Sequence, residues 1–290
     1  MTPTSTSAPP VPPWLLAVVA MFSVQLGSAL SMPLMAQVGP AGAAWLRLSV
    51  GALIFLAVAR PSLRSVPRAD IPPLIGLGVA TGLLATFFLA AITRIPLGTA
   101  VAIEFLGPLG VAALRAHTRA ALLWPALALV GVLLLTEPWS GSVDLVGIGL
   151  AAAAALGWAA YIVLTQHIGD RFTGITGLSL TIPVAAATAA VAGVPQAAGH
   201  ITIEVLAMAV GLALLLPVLP FALELIALRH MTHTAFGTLM ALEPAIGVVL
   251  GLIVLHQQPS PAQMVGITLV VVAGAFAQRG GRRRRTSHPP

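Results

Sequence analysis

The chain is 290 residues long, 58% hydrophobic and only 8% charged, whereas about one residue in four is charged in a soluble domain. Fourteen arginines and eight acidic residues are too few to cover a water-facing globule of this size, and a mean hydropathy of +1.00 puts most of the surface in hydrocarbon. There is no lysine and no cysteine, and the net charge is +6, so disulfides and thiolate metal sites are excluded.

A membrane-spanning helix takes about 20 apolar residues, and that rule yields ten expected spans in chain order. Residues 1–13, rich in Pro, Ser and Thr and without a basic residue, are expected to form a disordered tail rather than a signal peptide. The first span, Trp14 to Leu34, carries Gln25 and Ser28 one turn apart, and the second, Ala41 to Ala59, carries Arg47. The third, Ile71 to Ile92, contains the Gly78-x-x-x-Gly82 pair, a weak signal for close helix approach. The fourth, Leu97 to Leu114, holds Glu104 and Pro108, and the fifth runs from Ala120 to Thr136. In the sixth, Leu145 to Gln166, the residues Trp158, Tyr161 and Thr165 lie along one stripe. The seventh covers Gly174 to Val194, and the eighth, Ile203 to Leu228, places Glu224 on one face with Pro217 and Pro220. The ninth, Thr234 to Leu255, contains Glu243-Pro244 and the Gly247-x-x-x-Gly251 pair, and the tenth covers Pro261 to Ala277. Residues 278–290, with Arg282 to Arg285, form a basic tail suited to an anionic inner leaflet.

Sorting the arginines by loop orients the chain. With both termini in the cytoplasm, twelve arginines lie inside and only Arg94 lies in an outer loop, with Arg47 inside a span. Basic grooves with interleaved aromatics are missing, so no nucleic-acid partner is expected.

Two stretches repeat. Thr86-Phe-Phe-Leu-Ala-Ala-Ile-Thr-Arg94 matches Phe221-Ala-Leu-Glu-Leu-Ile-Ala-Leu-Arg229, and Pro108 and Pro244 follow at an offset of 136 residues. A repeat of five spans crosses an odd number of times, so the second copy enters from the opposite side. The expected architecture is therefore all-α, with ten transmembrane helices in two inverted five-helix repeats at residues 14–136 and 145–277.

Four ionisable residues fall inside spans: Arg47, Glu104, Glu224 and Glu243. Each costs about 2.5 to 3.5 kcal/mol at a helix centre even on a lenient scale, so each needs a partner or a polar interior. Arg47 and Glu104 sit at similar depth, and an ion pair between them is one expectation, either fixed or opened by substrate. Pro108 would free the carbonyl of Glu104, and Pro244 that of Met240, exposing acceptors beside carboxylates in a way that suits a cation or ammonium. The competing reading is a packing kink. Glu224, near the cytoplasmic end, fits gating and snorkelling equally. Gln25 and Ser28, like Trp158 and Tyr161, either line a cavity or serve interhelical bonding and packing. His230 and His233 have a metal-like spacing, but the membrane boundary explains them better, and no metal or cofactor is expected. Nucleotide-loop, zinc-protease and serine-hydrolase motifs are absent, which argues against an enzyme and against ATP-driven pumping.

The stretch Leu223 to Pro244 resembles the ninth-span region of the bacterial threonine/homoserine exporters, a group within the EamA-domain drug/metabolite transporter superfamily. Ile95 to Leu109 resembles that group's fourth span, and Leu156 to Leu164 its sixth. The resemblance implies a ten-helix inner-membrane carrier with a central cavity that moves amino acids or related metabolites outward, driven by protons. One departure stands out: where many members carry Gly-Glu after the ninth span, this chain has His256-Gln257-Gln258.

These readings converge on a small-molecule exporter in the lipid bilayer working by alternating access. Glu104 or Glu243 would take a substrate ammonium, Arg47 a carboxylate, and Glu243 would titrate during the cycle. Gating would fall to Glu243, Glu224, Pro108 and Pro244. A carrier for another metabolite or drug class, or a non-transporting scaffold or sensor, are the alternatives.

Overall fold

The computed structural model describes residues 11–61, 66–114, 122–140, 144–168 and 175–280. Most of the expected N-terminal tail, the Arg282 to Arg285 cluster and the starts of the fifth and seventh expected spans, Ala120 and Gly174, lie outside those residues. The described chain is all-helical, without strands: α1 (Pro13–Ala29), α2 (Met32–Ala59), α3 (Ile71–Ile92), α4 (Leu97–Glu104), α5 (Leu106–Leu114), α6 (Leu123–Thr136), α7 (Leu145–Ile168), α8 (Ile175–Ala197), α9 (Ile203–Ala213), α10 (Leu219–His230), α11 (His233–Met240), α12 (Glu243–Leu255) and α13 (Pro261–Gly280). Seven segments are long and apolar enough to cross a membrane, counting α4 with α5, α9 with α10, and α11 with α12 as continuous stretches; α1, α6 and α13 are shorter apolar helices.

Helix starts follow local chemistry. Proline occupies the first turn of α1, α2, α3, α10 and α12, where its missing N–H would be unpaired anyway. Threonine caps two others: the Val205 N–H donates to Thr202 Oγ1 and the Ala235 N–H to Thr232 Oγ1, each at 3.2 Å. Before α13, Ser260 and Gln263 form a reciprocal box, the Gln263 N–H donating to Ser260 Oγ and the Ser260 N–H to Gln263 Oε1, both at 3.1 Å.

The first expected span is too long by a turn. Helix α1 stops at Ala29, and Met32 opens α2, whose first residues form a short segment before a bend at Gly39. Gly39 has φ 73°, a conformation that a side chain disfavours, and it precedes Pro40, which bars a regular helix there. Hydropathy alone could not see this corner because both sides of it are apolar.

Packing pairs the helices in a definite pattern. Helix α2 lies along α8, α3 along α7 and α8, α1 along α10, α4 along α12, and α6 along α13. Small residues set the distances. On α3, a Cβ on Gly78 would fall 2.8 Å from the Thr181 carbonyl oxygen and one on Gly82 2.5 Å from that of Ala185, so this G-x-x-x-G pair does mediate contact with α8. Gly247 of α12 lies against Val101 and Gly98 of α4 in the same manner.

Candidate functional site

Three spans are interrupted near mid-chain. Helix α4 ends at Glu104 and α5 starts at Leu106; α11 ends at Met240 and α12 starts at Glu243; and α9 passes into α10 through an irregular turn over Leu214–Val218, where Leu216 is extended at φ −160°, ψ 112°. Pro108 and Pro244 account for the first two breaks, each lacking the N–H that the preceding turn needs. Pro217 sits in the third. The carbonyl of Leu215 in that turn is satisfied from another helix, accepting from Ser23 Oγ of α1 at 2.7 Å, as irregular backbone at membrane depth requires.

The breaks bring the acidic residues together. Glu104 is 7% exposed and Glu243 5% exposed, and Glu243 lies within electrostatic range of both Glu104 and Glu224. Glu224 is half-buried, and its charge reaches Tyr161, whose side chain is hydrogen-bonded to Thr165. Glu224 thus lies within electrostatic range of Glu243 and Tyr161. Trp158 has a different place: its ring meets Phe105 edge-on at 6.0 Å, packing beside the α4–α5 break.

Arg47 does not join this cluster. Its Nη1 donates to Ser31 Oγ at 3.3 Å, its Nε has no partner, and no ion pair links it to Glu104. The expected pair is not formed because similar depth is not proximity: Arg47 reaches Ser31, between α1 and α2, while Glu104 ends α4, which packs on α12 and α7. Gln25 is 1% exposed with its Oε1 unpartnered, and Ser28 Oγ, fully buried, donates to the Val24 carbonyl at 2.9 Å.

At the end of the molecule that carries Arg94, contacts across the chain close the bundle. Gln257 Oε1 accepts from the Leu97 N–H at 3.0 Å, capping the otherwise unpaired start of α4. Gln196 Oε1, at the end of α8, accepts from the Ala41 N–H at 2.9 Å and the Gly42 N–H at 3.4 Å. Arg94 and Asp144 form an ion pair at 3.0 Å, while Asp144 also caps α7 by accepting from the Gly147 N–H at 2.8 Å. The Gly147 N–H and the Arg94 guanidinium hold the Asp144 carboxyl below its usual value. Ser260 Oγ donates to Glu137 Oε1 at 2.5 Å, and Gln263 Nε2 to the Leu135 carbonyl at 3.2 Å. A cavity of about 160 Å³ remains among Arg94, Thr99, Glu137, Asp144 and Gln263. Sequence reading passed over Ser31 and Gln196, and noticed Gln257 only as a departure from the family's Gly-Glu, not as the cap of α4. Only the S-x-x-Q box at Ser260 offered a legible signal.

Towards the opposite end the broken spans part. Beyond its break α5 packs on α7 and α6, whereas α11 packs on α13 and α1. Helices α4 and α12 pack together, no comparable packing joins α5 to α11, and Glu104 closes α4 where Glu243 opens α12.

Comparison with known proteins places this geometry. The chain is 34% identical over 275 residues to the threonine/homoserine exporter RhtA of Escherichia coli (strain K12), covering 91% of each chain. The chain belongs to the EamA-like transporter family. The model of that family matches residues 145–277. A second relative, the threonine/homoserine exporter RhtA of Salmonella typhimurium (strain LT2), is 35% identical over 270 residues, 90% of this chain and 89% of the relative. A solved crystal structure superposes with a TM-score of 0.58 at 19% identity, covering 92% of this chain and 99% of the other, and shares its fold. The EamA-like chain is thus a multi-pass membrane protein of a transporter family, not an enzyme.

Proposed function

We propose that the protein exports small amino acids of the threonine and homoserine kind across the plasma membrane, in exchange for protons, by alternating access. The observation that carries this reading is the pair of broken spans with Glu104 and Glu243 at their breaks, packed together at the Arg94 end and parted at the other. The relatives' export of threonine and homoserine supplies the substrate class.

Ten crossings as two inverted repeats, residues 14–136 and 145–277, are supported by the packing itself. Number the spans so that α4 with α5, α9 with α10, and α11 with α12 each count once. The exchange of span n with span n+5 then turns the most extensive of the observed packings into one another. Span 2 pairs with 7, 4 with 9 and 5 with 10; the pairing of 3 with 6 becomes that of 8 with 1, and 3 with 7 becomes 8 with 2. The breaks of spans 4 and 9, at Phe105 and Ala241, obey the same offset of 136 residues as Pro108 and Pro244. A pseudo-twofold axis in the membrane plane produces such a map.

The arginine distribution supports cytoplasmic termini, so the Arg94 end, where α4 packs on α12, faces outward, and substrate would enter from the end where α5 and α11 diverge. Glu243 is the coupling residue in this reading: it is buried at the start of α12, directly after the break of its span, where a buried carboxyl needs a partner such as a proton.

The test is labelled threonine and homoserine flux in proteoliposomes with and without an imposed pH gradient, beside Glu243→Gln. Gradient-stimulated flux that the variant loses supports the reading. Flux indifferent to the gradient removes the protons, and no flux of either amino acid removes the substrates. A scaffold or sensor would tolerate both Glu104→Gln and Glu243→Gln without loss of any flux.

A further inference from the structure

Among the described residues, two buried side-chain polar atoms lack a hydrogen-bond partner: Nε of Arg47 and Oε1 of Gln25. One belongs to a cationic donor and the other to a neutral acceptor. Both residues are nearly sealed, at 3% and 1% exposure. A guanidinium inside a membrane protein with one long bond to a serine hydroxyl and no carboxylate beside it is under-compensated, and buried groups of this kind ordinarily find partners.

The two orphans flank one run of buried polar residues. Gln25, Ser28 and Ser31 follow at intervals of three residues up the α1 face and its exit, all buried, and Arg47 Nη1 donates to the last of them. Ser31 Oγ spends its own proton on the Gly27 carbonyl at 2.6 Å, and Ser28 Oγ spends its proton on Val24. The irregular turn Leu214–Val218 packs beside this run: a Cβ on Gly51, one helical turn from Arg47 on the same face of α2, would lie 2.9 Å from Pro217, and one on Gly27, on another face of α1 from Gln25, would lie 3.3 Å from Leu215 and Leu216. Six residues at helical rise put Gln25 and Ser31 about 9 Å apart along the axis.

We infer that Arg47 and Gln25, with the α1 serines, form the zwitterion subsite of the carrier: Arg47 receives the substrate carboxylate and Gln25 Oε1 accepts from its ammonium. This rests on the amino-acid export reading and divides the labour within it. Glu104 and Glu243 lie at the other two breaks and are left free of the substrate's charges. The broken turn of span 8, which touches both α1 and α2 here, is the element whose displacement opens the subsite.

The test uses the full chain in proteoliposomes and labelled threonine exchange, with three competitors: threonine, threoninol, which lacks the carboxylate, and 3-hydroxybutyrate, which lacks the ammonium. In the parent, threonine should compete at a concentration at least about tenfold below either analogue, since each analogue leaves one buried group unpaired. Arg47→Gln should erase the preference for threonine over threoninol, and Gln25→Leu should erase the preference over 3-hydroxybutyrate while keeping the other. Retention of the full carboxylate preference in a folded Arg47→Gln protein overturns the assignment. If that variant does not fold, the parent's own profile decides: threoninol competing as well as threonine overturns the subsite but leaves amino-acid export standing. A parent that exchanges neither threonine nor homoserine refutes the export reading, and the subsite with it.

Discussion

Truncating Gln257 tests whether the Arg94 end is a gate. Its Oε1 is the acceptor for the Leu97 N–H at 3.0 Å, and Leu97 is fully buried, so Gln257→Ala leaves a donor at the start of α4 without a partner in the closed state. Stranding a buried backbone donor costs about 1 to 3 kcal/mol. When the outer halves of α4 and α12 part, water reaches that N–H, so the loss falls on the closed state alone. The open population should rise by about 5- to 150-fold, at 1.4 kcal/mol per factor of ten. The chain has no cysteine, which makes the assay clean: Thr99→Cys, at a position 3% exposed beside the outer cavity, reports opening through its rate of labelling by a membrane-impermeant maleimide. Gly251→Ala should act in the same direction, because its Cβ would come within 2.8 Å of Gln257 Oε1 and push the amide off its donor. Gln257→Glu keeps an acceptor, and its charge suits a helix N-terminus, so labelling should stay at or below the parent rate. Equal labelling of the parent and Gln257→Ala would refute the gate.

Three other outcomes follow from the same structure. Gly82→Ala places a Cβ 2.5 Å from the Ala185 carbonyl oxygen; parting α3 from α8 should cost about 1 to 3 kcal/mol, read as a lower melting temperature in detergent, while alanine at Gly110, which has open space beside it, should leave melting unchanged. Asp144 has a carboxyl lowered by the Gly147 N–H and Arg94, so its contribution is present above the ordinary carboxyl value of 3.8 and is lost as pH falls through the lowered one. Asp144→Asn should therefore narrow the stability difference between neutral and acid pH in a melting series, and a difference equal to the parent's would contradict the pairing. Pro108→Ala restores the N–H that the α4–α5 break lacks; it should leave folding intact and slow threonine exchange, whereas unchanged exchange would reduce the break to a packing kink.

Much of this molecule was legible in its sequence because the bilayer imposes one-dimensional rules. Span length, the arginine asymmetry and the proline breaks depend on residues close in the chain, and Glu104 with Pro108 and Glu243 with Pro244 marked their breaks before any fold was known. Which side chains meet was another matter. A helix in lipid is apolar on its outer face as well as its packed one, so periodicity does not reveal the direction in which Arg47 points. Depth suggested Glu104, yet the α1–α2 corner, turned by Gly39 and Pro40, presents Ser31 instead. The contacts that close the Arg94 end join residues 155 and 160 positions apart, Gln196 to Ala41 and Gln257 to Leu97, and a glutamine at the end of a helix or just beyond it carries no mark of the helix start it will cap. Local chemistry sets where helices begin, break and end; tertiary packing alone decides which buried polar atoms are satisfied and which, like Nε of Arg47 and Oε1 of Gln25, are left without a partner.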